Sequence, residues 1–136
     1  MLVLDCCAAV EIARRTPVGL AMREDVLSDS HIVSSSLLYA ELAHVYQKYV
    51  QANLLSAAAA QEYLAASIGL VDEFVDPAET VAEVLAEAGR LGHSSHDLFY
   101  FVLARRKACK LLTVDRRLAA LCAAQGIECV TYAELG

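Results

Sequence analysis

Four carboxylates stand where a carboxylate is hard to place without a partner: Asp5, Glu41, Asp97 and Asp115. Asp5 ends the apolar run Leu2-Val3-Leu4, and Asp115 ends Leu111-Leu112-Thr113-Val114, so each closes a short buried strand just before a helix. Either acid can simply cap that helix. At the carboxyl ends of neighbouring parallel strands, however, the two would share the rim where ligands bind. Asp97 follows Ser94 at capping-box spacing and opens the apolar stretch 98–103, at the mouth of a helix that must be packed. Glu41 is flanked on one helical face by Leu38, Leu42 and Val45, where a carboxylate loses hydration unless an arginine or another cation pairs with it.

One shared cation accounts for all four acids, because gathered carboxylates repel one another and otherwise hold their protons. Mg2+, with Mn2+ as its substitute, suits an all-oxygen site and keeps several waters around it. The chemistry such a centre performs is phosphodiester hydrolysis by an activated water. The basic residues Arg105, Arg106, Lys107, Lys110, Arg116 and Arg117 cluster nearby in sequence, either as a solvated surface or as a phosphate groove.

The elements that position these residues follow from hydrophobic period and punctuation. Helical patterns cover 6–14, 19–27, 37–52, 56–67, 77–90, 98–107 and 116–124, and short apolar strands fall at 2–4, 31–33, 70–71, 111–114 and 128–130. Ser28-Asp29-Ser30 is turn chemistry, and Pro77 suits the first position of its helix. Strands alternating with helices predict one α/β domain over 1–136, with a parallel sheet covered on both faces.

The formal net charge is −6, the wrong sign for bulk electrostatic attraction to nucleic acid, so any such grip must be local. Five cysteines with no C-x-x-C pair argue against a disulfide framework or zinc knuckle and for reduced thiols, hence a cytoplasmic protein. His31, His44, His93 and His96 share no zinc-ligand spacing and read as surface or packing residues, with His96 set apart by its place beside Asp97. Tyr39, Tyr46 and Tyr49 read as core or dimer contacts rather than base-stacking residues. A hydrophobic content of 57% and a mean hydropathy of +0.44, without a membrane span or signal peptide, favour a homodimer or a permanent partner.

Leu2-Val3-Leu4-Asp5, Ala40-Glu41-Leu42, Ser95-His96-Asp97-Leu98-Phe99-Tyr100 and Leu112-Thr113-Val114-Asp115-Arg116-Arg117-Leu118 resemble, in order, the successive acidic motifs of PIN-domain ribonucleases. Their spacing and the single-domain length are most similar to the VapC toxins of type II toxin-antitoxin modules. The resemblance implies a five-stranded parallel sheet, metal binding by Asp5, Glu41, Asp97 and Asp115, an RNA substrate, a cognate antitoxin and a homodimer. Arg116 and Arg117 are then the local groups to steady the RNA backbone, and the Thr113 hydroxyl can donate either to the site's carboxylates or to a phosphate. Two positions after the first aspartate, where that family usually has Ser or Thr, this chain has Cys7, a poorer hydrogen-bonding group. That departure keeps a non-catalytic RNA- or protein-binding module as the alternative. A phosphoaspartyl domain fits less well, since Cys7 occupies the second acid of its D-x-D pattern.

Overall fold

The computed structural model describes residues 1–28 and 31–131. Of the turn expected at Ser28-Asp29-Ser30, Asp29 and Ser30 lie outside the described residues. Five strands, β1 (Leu2–Leu4), β2 (Ile32–Ser35), β3 (Glu73–Val75), β4 (Lys110–Thr113) and β5 (Cys129–Thr131), form one sheet in the order β3-β2-β1-β4-β5. Every pairing in it is parallel, as expected. The helices are α1 (Cys6–Arg14), α2 (Pro17–Ser28), α3 (Leu37–Gln51), α4 (Ala57–Ile68), α5 (Val81–Leu91), α6 (Ser95–Lys107) and α7 (Arg116–Ala124). None of the described helices is long and apolar enough to cross a membrane.

Side chains on a strand alternate between faces, and this sheet buries both. Leu2, Leu4 and Leu112 pack with Ile12, Met22, Leu38 and Leu42 from α1, α2 and α3. Val3 and Leu111 point the other way, into Val84, Leu98, Phe101 and Leu118 from α5, α6 and α7. The three residues of β1 are therefore buried on both sides, which is why that strand reads as an unbroken apolar run.

From β1 the chain moves outward through β2 to β3, then returns to the opposite side of β1 to lay down β4 and β5. The order thus reverses between β1 and β4, and the crevice outside their carboxyl ends is where an open α/β sheet binds ligands. Leu4 pairs with Leu112, so Asp5 and the residues after Thr113 emerge side by side at that crevice.

Two elements differ from the sequence expectation. The edge strand lies at Glu73–Val75 rather than 70–71, because Asp72 pins the register: its amide donates to the Ile32 carbonyl and its carboxylate accepts from the Ile32 amide, both at 2.8 Å. Pro77 opens a separate 3-10 turn, Pro77–Glu79, capped by Asp76 through Ala78 N, and α5 begins only after Thr80. Gly19 marks the close crossing of α1 and α2, where a Cβ would stand 1.8 Å from the Glu11 carbonyl oxygen.

Candidate functional site

Asp5 caps a helix and also lines the candidate cavity. Its Oδ1 accepts the Ala8 amide at 3.0 Å and so caps α1, while its Oδ2 accepts the Thr113 hydroxyl from β4. The Cys7 thiol adds weaker contacts at 3.2 and 3.3 Å to the two oxygens. The carboxyl is only 4% exposed. Burial is the dominant effect on it, pushing its pKa up to about 7 against the pull of the Thr113, Ala8 and Cys7 hydrogen bonds, with Asp115 adding repulsion.

Asp115 repeats the device on the neighbouring strand. Its Oδ1 caps α7 by accepting from Arg117 N at 2.8 Å and Leu118 N at 3.2 Å. Thr113 joins the two acids, since its hydroxyl donates to Asp5 and accepts the Asp115 amide at 3.0 Å. Of the two uses expected for the Thr113 hydroxyl, a carboxylate of the site or a phosphate, the structure has the first, and its proton goes to Asp5.

Glu41 comes from α3, and the partner that its apolar surroundings demand is Tyr100. The phenol donates to Glu41 Oε1 at 2.5 Å from a ring that is 2% exposed and packed in the core of α6. Burial raises the Glu41 carboxyl, the Tyr100 hydrogen bond and the charge of His96 lower it, and Asp97 raises it again. Burial and the Glu41 charge push the Tyr100 phenol far above its ordinary value, so it stays a donor.

Asp97 stands half-buried in the first turn of α6. The expected capping box does not form, because Ser94 caps α6 without a side-chain hydrogen bond. Asp97 Oδ2 instead meets His93 Nε2 at 3.0 Å, so the histidine in contact is His93 and not the adjacent His96, which reaches Glu41 only through its charge.

All four acids line one cavity of about 320 Å3, together with Cys7, Glu11, Tyr49 and Tyr100. They arrive from four separate places in the chain: the ends of β1 and β4, the face of α3 and the start of α6. Sequence reasoning missed Glu11, although its place four residues after Cys7 puts both on one helical face. Tyr100 was hidden in an apolar helix. Arg116 and Arg117 lie exposed in the first turn of α7, beside Asp115.

The rest of the basic cluster is elsewhere. Arg105 and Arg106 pair with Glu83, at 2.5 and 2.7 Å, and Lys107 pairs with Glu73 at 3.0 Å. They occupy the last turn of α6, roughly 12–15 Å along the helix from Asp97 at its usual rise per residue. That part of the cluster takes the solvated-surface reading, not the groove.

The donor set fits a hard divalent ion. Carboxylate oxygens surround an open cavity, and burial has made two of the carboxylates, Asp5 and Glu41, costly to charge, a cost that a cation removes. Among the described residues no three His, Cys, Asp or Glu side chains are drawn close enough together to hold an ion by themselves. Mg2+ does not require that, since it is commonly held through one or two carboxylates with waters completing its shell.

A family model described as PIN domain matches residues 2–132. Among solved structures, the chain is similar to PAE2754 from Pyrobaculum aerophilum, at 21% identity and a TM-score of 0.73, over 98% of this chain and 92% of that one. It is also similar to VapBC2 from Rickettsia felis, solved bound to a DNA fragment from their promoter, at 16% identity and a TM-score of 0.68, over 96% and 98% of the two chains. A comparison with curated proteins finds no match.

Proposed function

The chain belongs to the PIN domain family, whose members are generally nucleases using divalent metal, and from that premise we propose that it is a Mg2+-dependent endoribonuclease, the toxin of a VapBC-like module. The observation that carries this reading is the convergence of Asp5, Glu41, Asp97 and Asp115 on one cavity at the point where the strand order reverses.

When bound, a divalent ion supplies positive charge to a phosphate and lowers the pKa of a water. The chain's own groups do the positioning. Thr113 and Ala8 fix the Asp5 carboxylate, the first turn of α7 fixes Asp115, Tyr100 fixes Glu41 and His93 fixes Asp97. Arg116 and Arg117, exposed next to Asp115, bind backbone phosphates of a single RNA strand and set its direction across the cavity. Because the net charge is −6, these few local contacts carry the RNA affinity.

A cognate antitoxin is the proposed regulator and a homodimer the proposed assembly, in the cytoplasm. Val81 and Leu85, 52% and 75% exposed one turn apart on α5, are apolar surface that such an assembly would cover. The competing reading, a non-catalytic binding module, is favoured by the weak Cys7 contacts and by the distance between the acids. Incubation of RNA with Mg2+, with EDTA and with the Asp97→Asn variant decides between them. Cleavage in the first alone is expected; equal outcomes in all three overturn the nuclease reading.

A further inference from the structure

The face of α1 that looks into the cavity does not end at Glu11. Cys7, Val10 and Glu11 line the cavity, and Arg14, in the last turn of the helix, completes their i, i+3, i+4, i+7 stripe. The Arg14 guanidinium carbon stands 4.4 Å from the centre of the Tyr49 ring, and Tyr49 of α3 lines the same cavity. An arginine and a tyrosine from two helices thus meet at one end of the cavity, roughly 10 Å along α1 from Cys7.

A ring attracts a guanidinium and orients it without supplying an oxygen acceptor. Arg105 also lies over a ring, 5.1 Å from the centre of Phe101, but its donors go to Glu83 and Glu87. Arg14 is different, since no oxygen among the described residues accepts a bond from it. Glu11, the acid three residues before it, accepts instead from the Thr16 hydroxyl. The planar fork of Arg14 is therefore held in place with its N–H groups available, which is the arrangement that suits a phosphate.

Arg116 and Arg117 open α7, packed on one face of the sheet, and Arg14 closes α1, packed on the other. The cavity, lined from both α1 and Asp115, lies between them. We propose that Arg14, held over Tyr49, is a second phosphate-binding subsite for RNA, so that the strand crosses the four acids between two basic anchors. This rests on the reading of the chain as a ribonuclease. Arg14 contacts the substrate backbone, whereas Tyr49 acts through Arg14 and is a positioning residue.

The test is binding of a single-stranded oligoribonucleotide to the whole protein in Mg2+, from roughly 50 to 200 mM salt, with Asp97→Asn as the common background that keeps the strand intact. Arg14→Ala is expected to weaken binding about fivefold and to lower the slope of log affinity against log salt by about 0.7, the share of one phosphate contact on a single strand. Arg14→Lys keeps the charge, so the slope is expected to hold while affinity falls with the lost fork. Tyr49→Leu is expected to do the same, since it leaves the guanidinium and removes its support. An arginine that only packs α1 against α3, or offsets the dipole at the end of α1, moves the thermal midpoint and not the slope. If Arg14→Ala does not fold, Arg14→Gln keeps most of the stem without the charge, and the same fall in slope is expected. A slope unmoved by Arg14→Ala and Arg14→Gln overturns the subsite; where Arg116→Ala with Arg117→Ala still lowers it, the ribonuclease reading stands. A background protein that binds no RNA at any of these salt concentrations overturns that reading, and the inference with it.

Discussion

Thr113, at the end of β4, donates its hydroxyl to Asp5 at the end of β1, and accepts the Asp115 amide with the same oxygen. One buried hydroxyl therefore sets the spacing of the two strand-end acids. Thr113→Val removes both contacts with little change in volume, leaving a buried carboxylate short of a donor and an amide short of an acceptor. A loss of about 1–3 kcal/mol is expected in urea denaturation, with Thr113→Ser recovering most of it.

The Asp5 carboxyl predicts how stability varies with pH. Burial raises it from an ordinary 3.8 to about 7, so the metal-free folded protein holds that proton more tightly than the unfolded chain. Its stabilising contribution is complete below about pH 4 and is lost as pH rises through 7, a change of at most about 4 kcal/mol. The raised Glu41 carboxyl acts in the same direction. Glu73, Glu83 and Glu87, held low by their hydrogen-bonded His31, Lys107 and arginine partners, matter only in more acid solution. Urea midpoints of the metal-free protein are expected to fall between pH 5 and 8. Asp5→Asn, which keeps an acceptor for Ala8 N, should flatten that slope, and saturating Mn2+ should reduce it in the wild type.

The two halves of the basic cluster should behave differently toward RNA. Arg106 spends its guanidinium on Glu83 and the Glu79 carbonyl at the far end of α6, and an exposed pair of this kind contributes about 0–1 kcal/mol. Arg106→Ala is expected to leave cleavage kinetics unchanged. Arg116→Ala with Arg117→Ala is expected to raise KM several-fold and weaken its salt dependence, with kcat less affected. Cleavage assays from 50 to 200 mM salt compare them.

Gly19 supports the α1 face that carries Cys7 and Glu11 into the cavity. A methyl there would overlap the Glu11 carbonyl, against backbone that cannot yield without parting α1 from α2. Gly19→Ala is expected to destabilise the fold by about 1–3 kcal/mol or more, read as a lowered thermal midpoint.

The architecture was legible because β1 is a bare apolar run, β2, β4 and β5 have short apolar centres, and each strand-end acid is followed by a helix. The same pattern that marks a cap also marks this rim, and Asp5 both caps α1 and lines the cavity. What local pattern could not show were contacts between distant elements. Tyr100 lies in the buried middle of α6, among Leu98, Phe101 and Leu103, where nothing distinguishes a polar hydroxyl aimed at Glu41 from one more core ring. His93 precedes its helix and reaches Asp97 by a turn geometry that spacing alone does not fix. The edge strand slipped by three residues because Asp72, a residue usually counted as turn chemistry, makes the pairing that sets the register.

Cys7 stands two positions after Asp5 with its thiol against that carboxyl, and its consequence can be measured. The thiol reaches both Asp5 oxygens, but at 3.2 and 3.3 Å it is a weak donor, and burial together with the Asp5 charge raises its own pKa well above the usual thiol range. It therefore lowers the Asp5 carboxyl less than a hydroxyl would. Cys7→Ser is expected to bring the Asp5 pKa down from about 7 and to tighten Mn2+ binding roughly three- to fivefold, the equivalent of one stronger hydrogen bond to a charged group. Calorimetry between pH 6 and 8 checks both, since the gain should be largest at the lower pH, where the wild-type carboxyl still holds its proton. An unchanged affinity across that range would show that Cys7 already serves the site as well as serine.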